Sequence, residues 1–153
     1  HVESPLDTLP GLNLLPVTTE FLPEKATFQA ESHLQNGQGW MAGLNDITLT
    51  GYEIHMGATI GAAPWLEITQ RNGQAVHVPD GSVSPDGKIW GCYLHGLFAN
   101  DAFRHAWLES LGWRKGQSAL TQAESFQRSL DILADAVEGA LNLELLEKIV
   151  WEK

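Results

Sequence analysis

Two short segments hold the side chains whose types and spacing could do chemistry. The first is Gly51-Tyr52-Glu53-Ile54-His55-Met56-Gly57. On a strand, Glu53 and His55 project from one face while Tyr52, Ile54 and Met56 project from the other. That pattern has two readings: the wet side of a half-exposed strand, or a carboxylate and an imidazole together on the wall of a cleft. The second segment is Gly91-Cys92-Tyr93-Leu94-His95-Gly96-Leu97-Phe98. Here a strand is expected to end at His95, with a glycine next and a helix soon after. Strand ends that face helix starts are where α/β folds place their sites. Imidazole is the side-chain type best suited to general base work at neutral pH, although a structural histidine meets the same description.

Cys92, the single cysteine, stands three residues before His95. On one continuous strand the two would point to opposite faces. Cys92 also lacks the sharp turn or helix N-terminus that exposes a thiol and lowers its pKa, so it reads as a small packing residue and not a nucleophile. The six histidines include no i, i+4 pair of the zinc-protease kind, and neither a phosphate loop nor a dinucleotide fingerprint is present. No metal site is expected.

The elements that must position these residues are strands first and helices last. Leu12 to Phe21 reads as a strand broken near Pro16, Ala26 to Leu34 as a second, and Ile47 to Met56 as a third, in which Gly51 marks a bulge or a close backbone approach. Trp65 to Gln70 and Gln74 to Val78 flank Asn72-Gly73, a strong hairpin signal. Pro79-Asp80-Gly81 and Pro85-Asp86-Gly87 read as turns, and Lys88 to Leu94 as a last strand running into His95. Asn100 is the expected N-cap of a helix to about Leu111, stopped by Gly112. Thr121 and Glu124 have capping-box spacing. Phe126, Leu130, Leu133, Val137 and Leu141 form an apolar stripe weakened by Gly139, and Asn142 caps a short helix with Leu145, Leu146 and Ile149 facing inward.

With 153 residues, a 43% hydrophobic share and an 18% charged share, the chain has the size and composition of one globular domain. A net charge of −10 from nine basic and nineteen acidic residues argues against nucleic acid or anionic lipid as partner. No apolar run approaches the roughly 20 residues of a membrane span. A lone thiol accords with a reducing cytoplasm. The first residues, His1-Val2-Glu3-Ser4-Pro5, read as a mid-protein loop, so residues 1–153 are expected to be part of a larger domain.

The wording of the segments goes further. Gly11-Leu12-Asn13-Leu14-Leu15-Pro16-Val17, then GYEIHMG at 51–57, then YLHGLF at 93–98 followed by Asn100-Asp101-Ala102-Phe103, resembles the C-terminal amidotransferase domain of the cobyric acid synthases, over roughly residues 2 to 150. The Tyr52-to-Gly57 wording favours this family over the related cobyrinic acid a,c-diamide synthases. The resemblance implies the C-terminal portion of a class I-like glutamine amidotransferase domain, α/β in class. Its sheet would be mixed, with hairpins, and followed by helices; taken alone it would be classed α+β.

The implied activity is a glutaminase that supplies ammonia to an ATP-dependent synthase domain, which amidates corrinoid carboxylates on the way to cobalamin. His95 matches the catalytic histidine of that family. The nucleophilic cysteine and its oxyanion hole would lie upstream, leaving this segment inactive by itself. ATP and Mg would belong to the synthase domain, with no cofactor here. Many class I relatives carry an orienting glutamate two residues after the histidine, where this chain has Leu97; Glu53 is the expected substitute. Glutamine and, through the synthase domain, a corrinoid are the implied partners, and an exposed sheet edge invites self-association. The alternative from a different class is a non-catalytic interaction module.

Overall fold

A computed structural model describes residues 5–35, 37–45, 47–61, 63–114, 116 and 120–151. The chain divides into two compact units, His1–Lys115 and Gly116–Lys153.

In the first unit, β1 (Thr18–Leu34), β2 (Thr48–Ile60), β3 (Leu66–Arg71), β4 (Gln74–Asp80) and β7 (Leu94–His95) form a five-stranded sheet in the order β4-β3-β1-β2-β7. A second sheet pairs β5 (Ser82–Val83) with β6 (Trp90–Gly91). Every pairing among the described residues is antiparallel. Strands come first and helices after, as expected.

The two strands expected before residue 35 are one. β1 begins only at Thr18 and runs through Pro23, where the register against β2 shifts between Phe21 and Ala26. Proline cannot donate to a ladder, and a bulge accommodates it without ending the strand. The Asn72-Gly73 hairpin forms as expected, with φ of 49° and 77°, the left-handed pair a tight hairpin turn requires. The expected strand from Lys88 into His95 is instead two pieces in two sheets, β6 and β7, with Cys92 and Tyr93 between them. The face argument that set Cys92 against His95 therefore does not apply, because no continuous strand joins them.

The core packs against one face of the sheet. Trp65, Phe103, Met41, Leu49, Leu66 and Ile68 are completely buried. Phe103 comes from α1 (Asp101–Ser110), and Met41 from a 3-10 helix at Gly39–Leu44. Trp40, Trp65, Trp90 and Phe103 pack at ring-centroid distances of 5.3 to 6.0 Å, and the Trp65 indole N–H donates to the Gly91 carbonyl at 3.0 Å. Asn100 does occupy the N-cap of α1, but its side chain makes no cap bond. Its Oδ1 accepts from the Thr50 amide and its Nδ2 donates to the Thr50 carbonyl, both at 2.9 Å, tying the helix start to β2.

In the second unit, α2 (Gln122–Ala140) opens with the Thr121–Glu124 capping box, and Asn142 Oδ1 caps α3 (Leu143–Trp151) by accepting from the Leu145 amide. No residue of either helix is buried. The inward packing expected of Leu145, Leu146 and Ile149 is absent within this unit, since two helices alone enclose no core. Among the described residues, no helix is long and apolar enough to cross a membrane.

Candidate active site

β2 carries the alternation read from GYEIHMG, but with its polar side inward. Glu53 is 2% exposed, whereas Tyr52 and Ile54 are 41% and 43% exposed. Glu53 and His55 line the wall of a cavity of about 620 Å³ together with Arg71, Asp80 and Tyr93. Of the two readings of this strand, the cleft wall is the one the structure shows.

Glu53 is bound from two sides. Arg71 Nε donates to Oε2 at 2.7 Å and Nη2 to Oε1 at 2.8 Å, a bidentate, charge-assisted pair. His55 Nε2 stands 3.3 Å from Oε1. The opposite ring nitrogen, Nδ1, donates to the Gly57 carbonyl at 2.9 Å, so the two contacts are hydrogen bonds together only when both nitrogens carry protons. Burial alone would raise the Glu53 pKa. The hydrogen bonds from Arg71 and His55, with their charges, outweigh it and hold the carboxyl below its ordinary 4.5. The guanidinium of Arg71 also lies over the Phe28 ring, 4.8 Å from its centroid.

His95 lies elsewhere. In the β2–β7 register Tyr52 is opposite His95 and Glu53 opposite Leu94, and directly paired side chains share a face. His95 is exposed and stacks on Tyr52 with ring centroids 5.1 Å apart, while Leu94 and Glu53 point into the buried side. The expectation that Glu53 orients His95 is therefore corrected: the sheet separates them.

The orienting group is the backbone carbonyl of Tyr93, 2.8 Å from His95 Nδ1. A carbonyl only accepts, so Nδ1 carries the proton and the neutral ring presents its lone pair at Nε2. Among the described residues none hydrogen-bonds Nε2. Gly96 then turns the chain away at φ 82°, a conformation natural to glycine.

Tyr93 joins the two sides. Its ring stacks on His55 at 4.0 Å, and its hydroxyl shares a 2.7 Å hydrogen bond with Thr59. The buried Asp80 carboxylate accepts from the Tyr93 amide at 3.0 and 3.1 Å, the Leu94 amide at 3.1 Å and the Gly81 amide at 2.7 Å. Arg71, Asp80 and Tyr93 were not singled out as site residues by the sequence. Arg71 and Asp80 sit in turn motifs there, and their partners Glu53, Tyr93 and Leu94 are 13 to 18 residues away.

Cys92 sits in a setting that keeps a thiol protonated. Burial, then the nearby Asp80 charge, push its thiol up to about 12 despite its hydrogen bond to the Leu94 carbonyl. It packs against the hydrophobic core.

Residues 1–103, from the N-terminus through the first turn of α1, match the family described as the CobB/CobQ-like glutamine amidotransferase domain. The chain belongs to this family. Within it, the chain is 48% identical to a cobyric acid synthase of Chloroflexus aggregans over 91% of its own length and 27% of that relative. It is 40% identical to those of Desulforamulus reducens and Yersinia enterocolitica, over 97% of the chain and 30% and 31% of the relatives. The chain thus spans less than a third of these curated relatives. No solved structure matches it.

Proposed function

We propose that this chain supplies the histidine half of a glutaminase site in a cobyric acid synthase, as the C-terminal portion of a class I-like amidotransferase domain. The observation that carries the proposal is the state of His95. It is exposed on an edge strand, Nδ1–H is committed to the Tyr93 carbonyl, and Nε2 is the open base.

In this reading a cysteine from outside the chain approaches the His95 face of the sheet. Nε2 takes the thiol proton, and the thiolate attacks the carboxamide carbon of glutamine. The imidazolium then returns the proton to the departing nitrogen, which leaves as ammonia. Water hydrolyses the resulting thioester to glutamate. Ammonia passes to an ATP- and Mg-dependent step that amidates corrinoid carboxylates, carried out by the rest of the synthase in the cytoplasm. Family membership and the names of the relatives support this assignment.

The test is His95→Ala in the synthase that carries this segment. Glutamine hydrolysis is expected to fall by about 10⁴ to 10⁶, while amidation driven by added ammonia persists. Glutamine-dependent turnover that survives the substitution would return His95 to a structural role.

A further inference from the structure

The exposed base has an orienting group, yet that group is only a peptide carbonyl. A catalytic imidazole is usually held by a carboxylate, which fixes the tautomer and steadies the imidazolium when it forms. No carboxylate is hydrogen-bonded to the His95 ring among the described residues, but one lies a single peptide away. The Tyr93 carbonyl and the Leu94 N–H belong to the same planar unit and, in a trans peptide, point in opposite directions. Among the described residues no peptide is cis. On one side of this plane, Asp80 Oδ2 accepts from the Leu94 N–H at 3.1 Å; on the other, the Tyr93 carbonyl accepts from His95 Nδ1 at 2.8 Å.

We propose that Asp80 is the positioning residue of His95, acting through the Tyr93–Leu94 peptide.

Three features support it. The carboxylate is 6% exposed and accepts three backbone amides, so its own direction is fixed. It grips the chain where the strand is broken: Tyr93 and Leu94 bond it as the chain passes from β6 in one sheet to β7 in the other. The Tyr93 side chain is clamped separately, by the His55 ring and the Thr59 hydroxyl, which leaves the peptide plane to Asp80. A negatively charged acceptor on the N–H polarises the amide and makes its carbonyl a better acceptor. The same arrangement that selects the Nδ1–H tautomer would therefore also stabilise His95 as it takes up a proton.

The inference rests on His95 being the glutaminase base, and its test separates the two ideas. Asp80→Asn replaces one acceptor oxygen with an N–H₂ facing backbone N–H groups, so the peptide plane must turn. In the synthase carrying this segment, Asp80→Asn is expected to lower kcat for glutamine hydrolysis by about 10- to 100-fold with the glutamine KM within about twofold. Side-chain ¹⁵N spectra of His95 should change from a single Nδ1–H tautomer to a mixture. Unchanged kcat and an unchanged tautomer in Asp80→Asn, beside an inactive His95→Ala, would overturn the role of Asp80 alone. A tautomer that changes in Asp80→Asn beside an active His95→Ala would keep the positioning and remove the glutaminase reading. Should Asp80→Asn fail to fold, Asp80→Glu, which keeps the charge and moves the carboxylate, gives the same readout: a mixed tautomer with lowered kcat would sustain the proposal, and an unchanged tautomer with unchanged kcat would overturn it.

Discussion

Glu53 is a buried carboxylate whose charge is balanced by Arg71, with the His55 ring beside it. Replacing it with Gln keeps the shape and removes the charge, leaving Arg71 a quarter exposed and without its ion partner. Hydrogen bonds to charged groups are worth about 1.5–3 kcal/mol, and orphaning a deeper charge costs about 3–5. A loss of about 2–3 kcal/mol is expected for Glu53→Gln at pH 7. Because the folded carboxyl titrates below its ordinary 4.5, its contribution is fully present above that value and is lost as pH falls through the folded pKa. Urea titrations of both proteins between pH 7 and pH 3 check this. The stability gap should close below about pH 4.5, and a gap independent of pH would show that Glu53 contributes by packing, not charge. At this scale the sequence was informative about residue type. Glu53 and His55 on one face follow from period two, and a histidine at a strand end from the glycine after it. The partners did not follow, because Arg71 reaches Glu53 across β1, which lies between β3 and β2, and Asp80 reaches Tyr93 and Leu94 from the end of β4.

The elements deliver these residues through one unusually close approach. A Cβ added at Gly51 would press into the His95 carbonyl oxygen and the Leu94 side chain, so the start of the β2–β7 pairing is this close because no side chain stands at Gly51. Gly51 does not have positive φ; the constraint is space, not backbone freedom. Gly51→Ala is expected to cost about 1–3 kcal/mol through overpacking and to lower glutamine turnover with it by displacing His95. Amide exchange at Leu94 and His95 would report the shift, and unaltered protection there with full stability would contradict it. The sequence marked Gly51 as a bulge or a close approach, and close approach is what occurs, since the β1–β2 register is continuous there. It marked the strand from Lys88 into His95 as unbroken, because Ile89, Trp90 and Tyr93 are strand formers and outweigh Gly91. What breaks the strand is a carboxylate from β4, and hydrophobic periodicity carries no signal for a side chain that takes the place of a neighbouring strand. Asn100 shows the same limit: its position as N-cap was legible, but its bond to Thr50, fifty residues back, was not.

At the scale of the whole chain, the single thiol and the proposed base occupy different environments. Cys92 is shielded, its thiol is pushed up to about 12 by burial, and it bonds the Leu94 carbonyl, while the His95 ring is exposed. At pH 8 a thiol with that pKa is thiolate in only about one molecule in 10⁴, against roughly a quarter for an unperturbed cysteine. Iodoacetamide should therefore modify the folded chain at least about 100-fold more slowly than the chain unfolded in urea, as followed by mass spectrometry. For the same reason the chain by itself should not hydrolyse glutamine, whatever the state of His95, because a competent base without an activated thiol leaves the first bond unmade. Ammonia release above background from the purified chain, abolished by Cys92→Ser, would reverse this assignment and make Cys92 the nucleophile. Rapid alkylation without turnover would show a thiol more open than the fold implies, while leaving the proposed division of labour intact, in which His95 is the base and Cys92 is not the nucleophile.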